Sequence, residues 1–258
     1  MNYSIFTFVQ PKNIQSHKAK NMNKSITCLL FFLINLGSYS QTAQDFFYSG
    51  SAKDCKKDYK GAIEDFDKAI ALESNIDTYI FCRGMSKNAM GDYNGAIEDY
   101  TKALEISYNK SYMYFLRGSV KQTQKNYTGA VEDFTQAIDL DPSYYQAYMG
   151  RGIIKDLLKD YKNALIDFDK AKEIYSYEEE PYYFSGNIKF KFKDYNGAIL
   201  DYDKYKELKP SSYKIYYNRG ICKIALNQKA EACEDFFHAE YSDIDKDNAV
   251  EAIKKYCQ

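Results

Sequence analysis

Several chemistries are excluded by what the 258-residue chain lacks. It has no Trp and two His in all, His17 and His238. A histidine-rich metal cluster therefore cannot be assembled from it. No CxxC pair and no Gly-rich phosphate loop occurs, so the common redox and nucleotide-binding signatures are missing as well. Charge of either sign is not in excess, at a formal -1. The lysines at 12, 18, 20 and 24 face no acid anywhere in residues 1–40, which leaves the remainder net acidic. A dedicated nucleic-acid binder needs the opposite balance to release counterions from phosphates. Long apolar runs are also missing. The longest, Ile26 to Leu36, is interrupted by Asn35, and a membrane span needs about 20 apolar residues.

That short run has another reading. From Met22 the chain reads MNKSITCLLFFLINLGSYSQ: a polar start with Lys24, the apolar run, then the small residues Ser38 and Ser40. This is the layout of a secretory signal peptide, with cleavage expected near Ser40. The protein is then exported, whether periplasmic, associated with the cell envelope or secreted, with no membrane span after signal removal. Residues 1–21 would be an N-terminal extension, disordered or never translated if Met22 is the start. An uncleaved anchor is the alternative. Cys28 lacks the flanking pattern of a lipid-attachment site.

The chain is rich in Tyr (27) and Phe (16) and in self-similarity. DYKGAIEDFDKAIAL at residue 58 returns as DYNGAIEDYTKALEI at 92, NYTGAVEDFTQAIDL at 126, DYKNALIDFDKAKEI at 160 and DYNGAILDYDKYKEL at 194, with a worn copy, QKAEACEDFFHAE, at 228. A fixed period of 34 residues marks a stack of supersecondary units, each burying its neighbour. The copies run 43–76, 77–110, 111–144, 145–178, 179–212 and 213–246, each with two amphipathic segments separated by a turn such as GDYN, where Gly91 and Asn94 are expected breakers. Helices this short are marginal alone and need packing. At the eighth position stand Gly50, Gly84, Gly118, Gly152, Gly186 and Gly220. A glycine retained there at about 1 kcal/mol each implies close approach of another backbone. The twentieth position is Ala62, Ala96, Ala130, Ala164, Ala198 and Ala232; four residues on, an aromatic recurs at Phe66, Tyr100, Phe134, Phe168, Tyr202 and Phe236. The twenty-seventh is Ala except for Tyr205, and Pro142 and Pro210 mark helix ends between copies.

The period with its Gly, Ala, aromatic and Pro positions resembles the tetratricopeptide repeat across residues 43–246. The resemblance implies an all-α fold, a right-handed α-solenoid of six 34-residue helix-turn-helix repeats, with a C-terminal capping helix over 247–258. It also implies that the first helices line a concave groove that commonly holds a peptide or protein segment. In such a frame the second, fifth, ninth and twelfth positions of each first helix face the groove. The fifth is Phe47, Phe81, Phe115, Met149, Tyr183 and Tyr217, an aromatic rail; beside it the ninth includes Met85, Ile153 and Asn187. These are the candidate partner-binding residues, against the plainer reading that they pack on the adjoining helix. The groove lacks the Lys and Asn pairing of a carboxylate clamp, so an acidic C-terminal tail is not the expected ligand.

Two positions depart from the family. The seventh is Arg83, Arg117, Arg151 and Arg219, with Ser49 and Ser185 in the other copies; the eleventh is always Lys, at 53, 87, 121, 155, 189 and 223. An aspartate at 65, 99, 133, 167, 201 and 235 answers them. A ladder of ion pairs within or between copies is the first reading, and a basic stripe for an acidic ligand is the second.

Five cysteines follow Ser40: Cys55, Cys82, Cys222, Cys233 and Cys257. In an exported chain, Cys233 and Cys257 can bridge the last repeat to the capping helix. Cys222 with Cys233 competes, and five free thiols is the remaining option. The acidic residues recur with the repeat, as structural faces do, so no catalytic pair stands out and no cofactor is expected. The function expected is a non-enzymatic protein-interaction scaffold. The alternative is a carrier or binder of an envelope glycan using the Tyr/Phe-rich groove, and self-association through the ends stays open.

Overall fold

The computed structural model describes residues 41–242 and 245–258. The signal-peptide and extension assignments, 22–40 and 1–21, lie outside the described residues. The described part is all helical: α1 (Ala43–Cys55), α2 (Tyr59–Leu72), α3 (Asp77–Ala89), α4 (Tyr93–Ile106), α5 (Lys110–Thr123), α6 (Tyr127–Leu140), α7 (Tyr145–Leu157), α8 (Tyr161–Ile174), α9 (Glu180–Lys191), α10 (Tyr195–Leu208), α11 (Tyr216–Ala225), α12 (Lys229–Ala239) and α13 (Lys246–Tyr256). Odd and even helices pair within each copy, and each even helix packs on the first helix of the next copy.

The turn inside each copy is built the same way six times. The residue at its corner has positive φ: Lys57, Gly91, Lys125, Lys159, Lys193 and Asn227. The next N–H then reaches back to the carbonyl of the eleventh-position lysine, as in Asn126 to Lys121 at 2.9 Å and Asp160 to Lys155 at 2.8 Å. This is the Schellman closure of a helix end. Asp58, Asp92, Asn126 and Asp194 follow as N-caps, each accepting from the N–H of a glycine three residues on. A Cβ on Gly95 would sit 2.2 Å from the Asp92 carboxylate. The glycine therefore leaves room for the cap, and where Asn163 replaces it, Asp160 bonds the Asn163 side chain in place of the backbone. Asn94, expected in the turn, lies in the first turn of α4.

The eighth-position glycine lies close against the second helix of its copy. It meets a ring: a Cβ would fall 2.7 Å from Phe168 at Gly152, 2.8 Å from Tyr202 at Gly186 and 2.6 Å from Phe236 at Gly220. At Gly50 the Ala62 carbonyl also comes within 3.2 Å. The close approach read from the sequence thus includes contact between one helix and an aromatic edge of its mate. All six rings are fully buried, including that of the worn sixth copy.

Both ends of the stack depart from the repeat. Where later copies bury Tyr79, Met113, Ala147 and Ile215 at their third position and Ser86, Val120, Ile154 and Ile188 at their tenth, α1 exposes Asp45 and Ala52. Asp45 instead closes a capping box with Thr42. At the other end, α13 buries Ala249 and Ala252 and stacks Tyr256 on Phe236, ring centroids 6.2 Å apart. A Cys233–Cys257 disulfide, with Cα atoms 5.7 Å apart, ties α13 to α12. Cys55 is exposed, Cys82 half-buried and Cys222 buried. Burial pushes the Cys82 thiol up to about 11 and the Cys222 thiol up to about 12, so both are poor nucleophiles.

Two substitutions test this packing in urea denaturation. Gly152→Ala should cost about 1–3 kcal/mol, because the methyl group has to displace Phe168. Lys125→Gly should stabilise by up to about 1 kcal/mol by relieving the left-handed strain. A neutral first change and a destabilising second would contradict the turn and ring geometry.

Candidate groove and the charge ladder behind it

The ladder is internal. Each twenty-third-position aspartate is buried, between 1% exposed at Asp99 and 6% at Asp201. Asp167 accepts from Arg151 Nε at 3.1 Å and Nη2 at 2.7 Å, and from Lys155 Nζ at 2.8 Å. Asp133 is held alike by Arg117 and Lys121, Asp99 by Arg83 and Lys87, and Asp235 by Arg219 and Lys223. The free Nη1 of each arginine then reaches the preceding copy: Arg83 to Asp67 at 2.6 Å, Arg117 to Thr101 and Arg151 to Thr135, both at 3.0 Å, and Arg219 to Asp203 at 2.5 Å. One guanidinium thus joins three helices. The alternative of a basic stripe for a ligand does not match this arrangement, because the cations are spent on buried carboxylates.

The two copies without arginine keep the rung by other means. In the fifth, Ser185 donates to Asp201 at 2.8 Å, and Lys172, from α8 of the preceding copy, bonds both Asp201 at 2.9 Å and Asp169 at 3.1 Å. Those are the two repeat positions that the arginine spans elsewhere. In the first copy, which follows no other helix among the described residues, Asp65 takes Ser49 at 2.6 Å, Lys53 at 2.6 Å and Lys68 at 3.0 Å. Burial alone would raise the Asp65 carboxyl, but the bonds from Lys53, Ser49 and Lys68 outweigh it and hold it at about 2 against an ordinary 3.8.

In front of the ladder lies the concave face. Neighbouring first helices approach one another in the pairs α1/α3, α5/α7, α7/α9 and α9/α11, while no neighbouring second helices come as close. The stack therefore bends toward its first helices. Their fifth and ninth positions carry no charged residue in any copy. Phe47, Phe81, Phe115, Tyr183 and Tyr217 are half-buried there. Each leans on a ring behind it: Phe81 on Tyr100 and Phe115 on Phe134, both at 5.8 Å, and Tyr217 on Phe236 at 6.1 Å. Met149 departs from the rail. It is 5% exposed within the central core cluster, so it packs the frame and offers no accessible surface. Ile153 is half-buried and Met85 is 38% exposed. Asn187 is engaged, accepting from Tyr202 Oη at 2.8 Å and Asn218 Nδ2 at 3.2 Å. The structure adds Tyr112, 44% exposed, with its ring 5.8 Å from Phe81. It stands at the second position of its helix, a groove position by the resemblance, and reading that column along with the fifth and ninth would have found it.

Models of the tetratricopeptide repeat match residues 83–110 and 115–179, in phase with the helix pairs described above. Over these residues the chain is built of tetratricopeptide repeats. Among curated proteins, none matches its sequence. Solved structures share the fold. The C-terminal part of a TPR repeat-containing protein from Cytophaga hutchinsonii is 20% identical with a TM-score of 0.71, over 82% of this chain and 87% of that one. YrrB, described as a TPR protein with an unusual peptide-binding site, is 21% identical with a TM-score of 0.64, over 73% and 97%. MamA from Desulfovibrio magneticus RS-1 is 19% identical with a TM-score of 0.61, over 66% and 96%. None of the described helices is long and apolar enough to cross a membrane.

The ladder makes two predictions. Asp65 is ionised with a folded-state value below its unfolded one, so its contribution is full above about pH 4 and is lost as pH falls toward about 2. Asp65→Asn should flatten that part of a stability–pH profile. Asp167→Ala should cost about 3–5 kcal/mol, since two cations lose their partner. Lys155→Met, with Arg151 still in place, should cost about 1.5–3 kcal/mol. Equal losses, measured by denaturant titration, would contradict the shared rung.

Proposed function

We propose that this tetratricopeptide-repeat protein is a non-enzymatic scaffold that binds a peptide or protein segment along its concave face. The observation that carries the reading is an uncharged, aromatic column on that face, with Met85 and Tyr112 open to solvent, on a frame whose cations are consumed by buried aspartates. Large apolar side chains that can be desolvated dominate binding energy, and a contiguous exposed strip of them marks an interaction surface. The likeness to YrrB, a TPR protein with a peptide-binding site, supports a peptide as the ligand class. The preferred segment is apolar and neutral to basic, because the groove offers no free cation cluster to an acidic one.

The protein is further proposed to act outside the cytoplasm. The first helix among the described residues starts at Ala43, shortly after the expected cleavage site, and the Cys233–Cys257 disulfide suits an oxidising compartment.

The test is capture from an envelope extract by the protein and by a Met85→Asp/Tyr112→Ser variant. Both side chains are exposed, so the variant should keep its helix content by circular dichroism. A protein retained by the first and bound at least about tenfold more weakly by the second, a loss of about 1.4 kcal/mol, is the expected result. Retention that ignores the two changes would contradict the groove, and a glycan retained in place of a polypeptide would favour the carrier reading.

A further inference from the structure

The junction between the fifth and sixth copies breaks the repeat in a way that creates a distinct site. Tyr205 stands where the other copies place Ala, and its ring is 1% exposed. So large a side chain takes the space into which the next helix would otherwise start. The other first helices begin at or beside the first position of their copy, but α11 begins only at Tyr216, the fourth. The segment 209–215 wraps the ring instead: Ser212 Oγ lies 2.9 Å from Tyr205 Oη, Lys209 pairs with Glu179, and Ile215 is buried.

The consequence is the position of Lys214. As the second residue of its copy it belongs to the groove-lining column, and its Nζ lies 3.7 Å from the centroid of the Tyr183 ring and 5.5 Å from that of Tyr205. No carboxylate pairs with it among the described residues; Glu180 and Glu179 act on it only through space. Burial pulls its ammonium below the ordinary lysine range. Other half-buried lysines of the stack, Lys87, Lys121, Lys155 and Lys172, sit on aspartates. Lys214 is thus a partly dehydrated cation held by rings alone, on a non-helical segment. Two ring faces with acidic residues beside them form a receptor for an ammonium or guanidinium group.

We infer that Tyr183, Tyr205 and Glu180 form a cation-binding subsite of the groove, which Lys214 fills as a placeholder until a lysine or arginine side chain of the bound segment displaces it. This rests on the groove reading and specifies one feature of the ligand, a basic residue that enters at the fifth copy. Lys214 makes the subsite self-closing, so a ligand without a cation gains nothing there.

The test uses N-acetyl-lysine methylamide as probe, with its uncharged counterpart N-acetyl-norleucine methylamide, in ligand-observed NMR titrations of the purified protein. Lys214→Ala should bind the lysine probe at least about fivefold more tightly than the wild type and should not distinguish itself from wild type with norleucine. Tyr183→Leu in the Lys214→Ala background should abolish the gain. If Lys214→Ala lost helix content, Lys214→Gln, which keeps the stem without the charge, would carry the same expectation. Equal lysine-probe binding by wild type and variant, or equal gains for both probes, would overturn the subsite. The gain on Lys214→Ala and its loss on Tyr183→Leu assign the probe signal to this site. A partner captured through Met85 and Tyr112 with no probe binding would refute the subsite and leave the groove standing, and probe binding with no groove partner would do the reverse.

Discussion

A carboxylate buried between two helices and satisfied by two cations is the interaction on which this structure depends. A lone buried charge is costly, and removing one member of a buried pair is worse than never having had it. In each copy the aspartate draws a guanidinium or ammonium inward. In the copies with arginine, the same group also bonds the copy before it. Short helices that would be marginal alone are thereby tied to both their mate and their neighbour. The substitution of Lys172 for the missing arginine of the fifth copy shows what the frame requires: a cation bridging Asp169 and Asp201, from whichever helix can supply it.

This use of charge shapes the function. Because the basic residues point into the stack, the surface left on the concave side is uncharged at its two central columns. Recognition there rests on aromatic and aliphatic area, backed by rings that the glycine positions admit. Those rings are fixed by close contact with the glycines of the first helices, so the rail is presented by a rigid support, as a preorganised binding surface needs. At the two ends of the described stack, α1 presents an exposed polar start and α13 is tied down by a disulfide, the features expected of terminal caps.

Much of this was legible in the sequence. The period located every helix pair, because glycine and aromatic columns in phase leave few alternatives, and the Arg, Lys and Asp columns identified the rungs. Burial was not legible: a column of aspartates reads equally as a solvated face, and only the paired helices show that it is enclosed. The spacing of the glycines says only that something is near, so the aromatic ring as the nearest neighbour was not legible. Left-handed lysines such as Lys125 carry no signal, since lysine is not a residue that this conformation favours. Met149 was placed on the rail by its column, yet the packing of the fourth copy closes over it. Lys214 escaped notice because it depends on the displacement of a helix start by Tyr205, one substitution in a column of alanines.

The central claim is that the rungs after the first couple neighbouring copies as well as the two helices of one. Native-state hydrogen exchange of the wild type and Arg151→Met tests it most directly. The account predicts lost protection in α7 and α8 and also in α6, where Thr135 gives up its bond to the arginine. Loss confined to α7 and α8, with α6 protected as before, would contradict it.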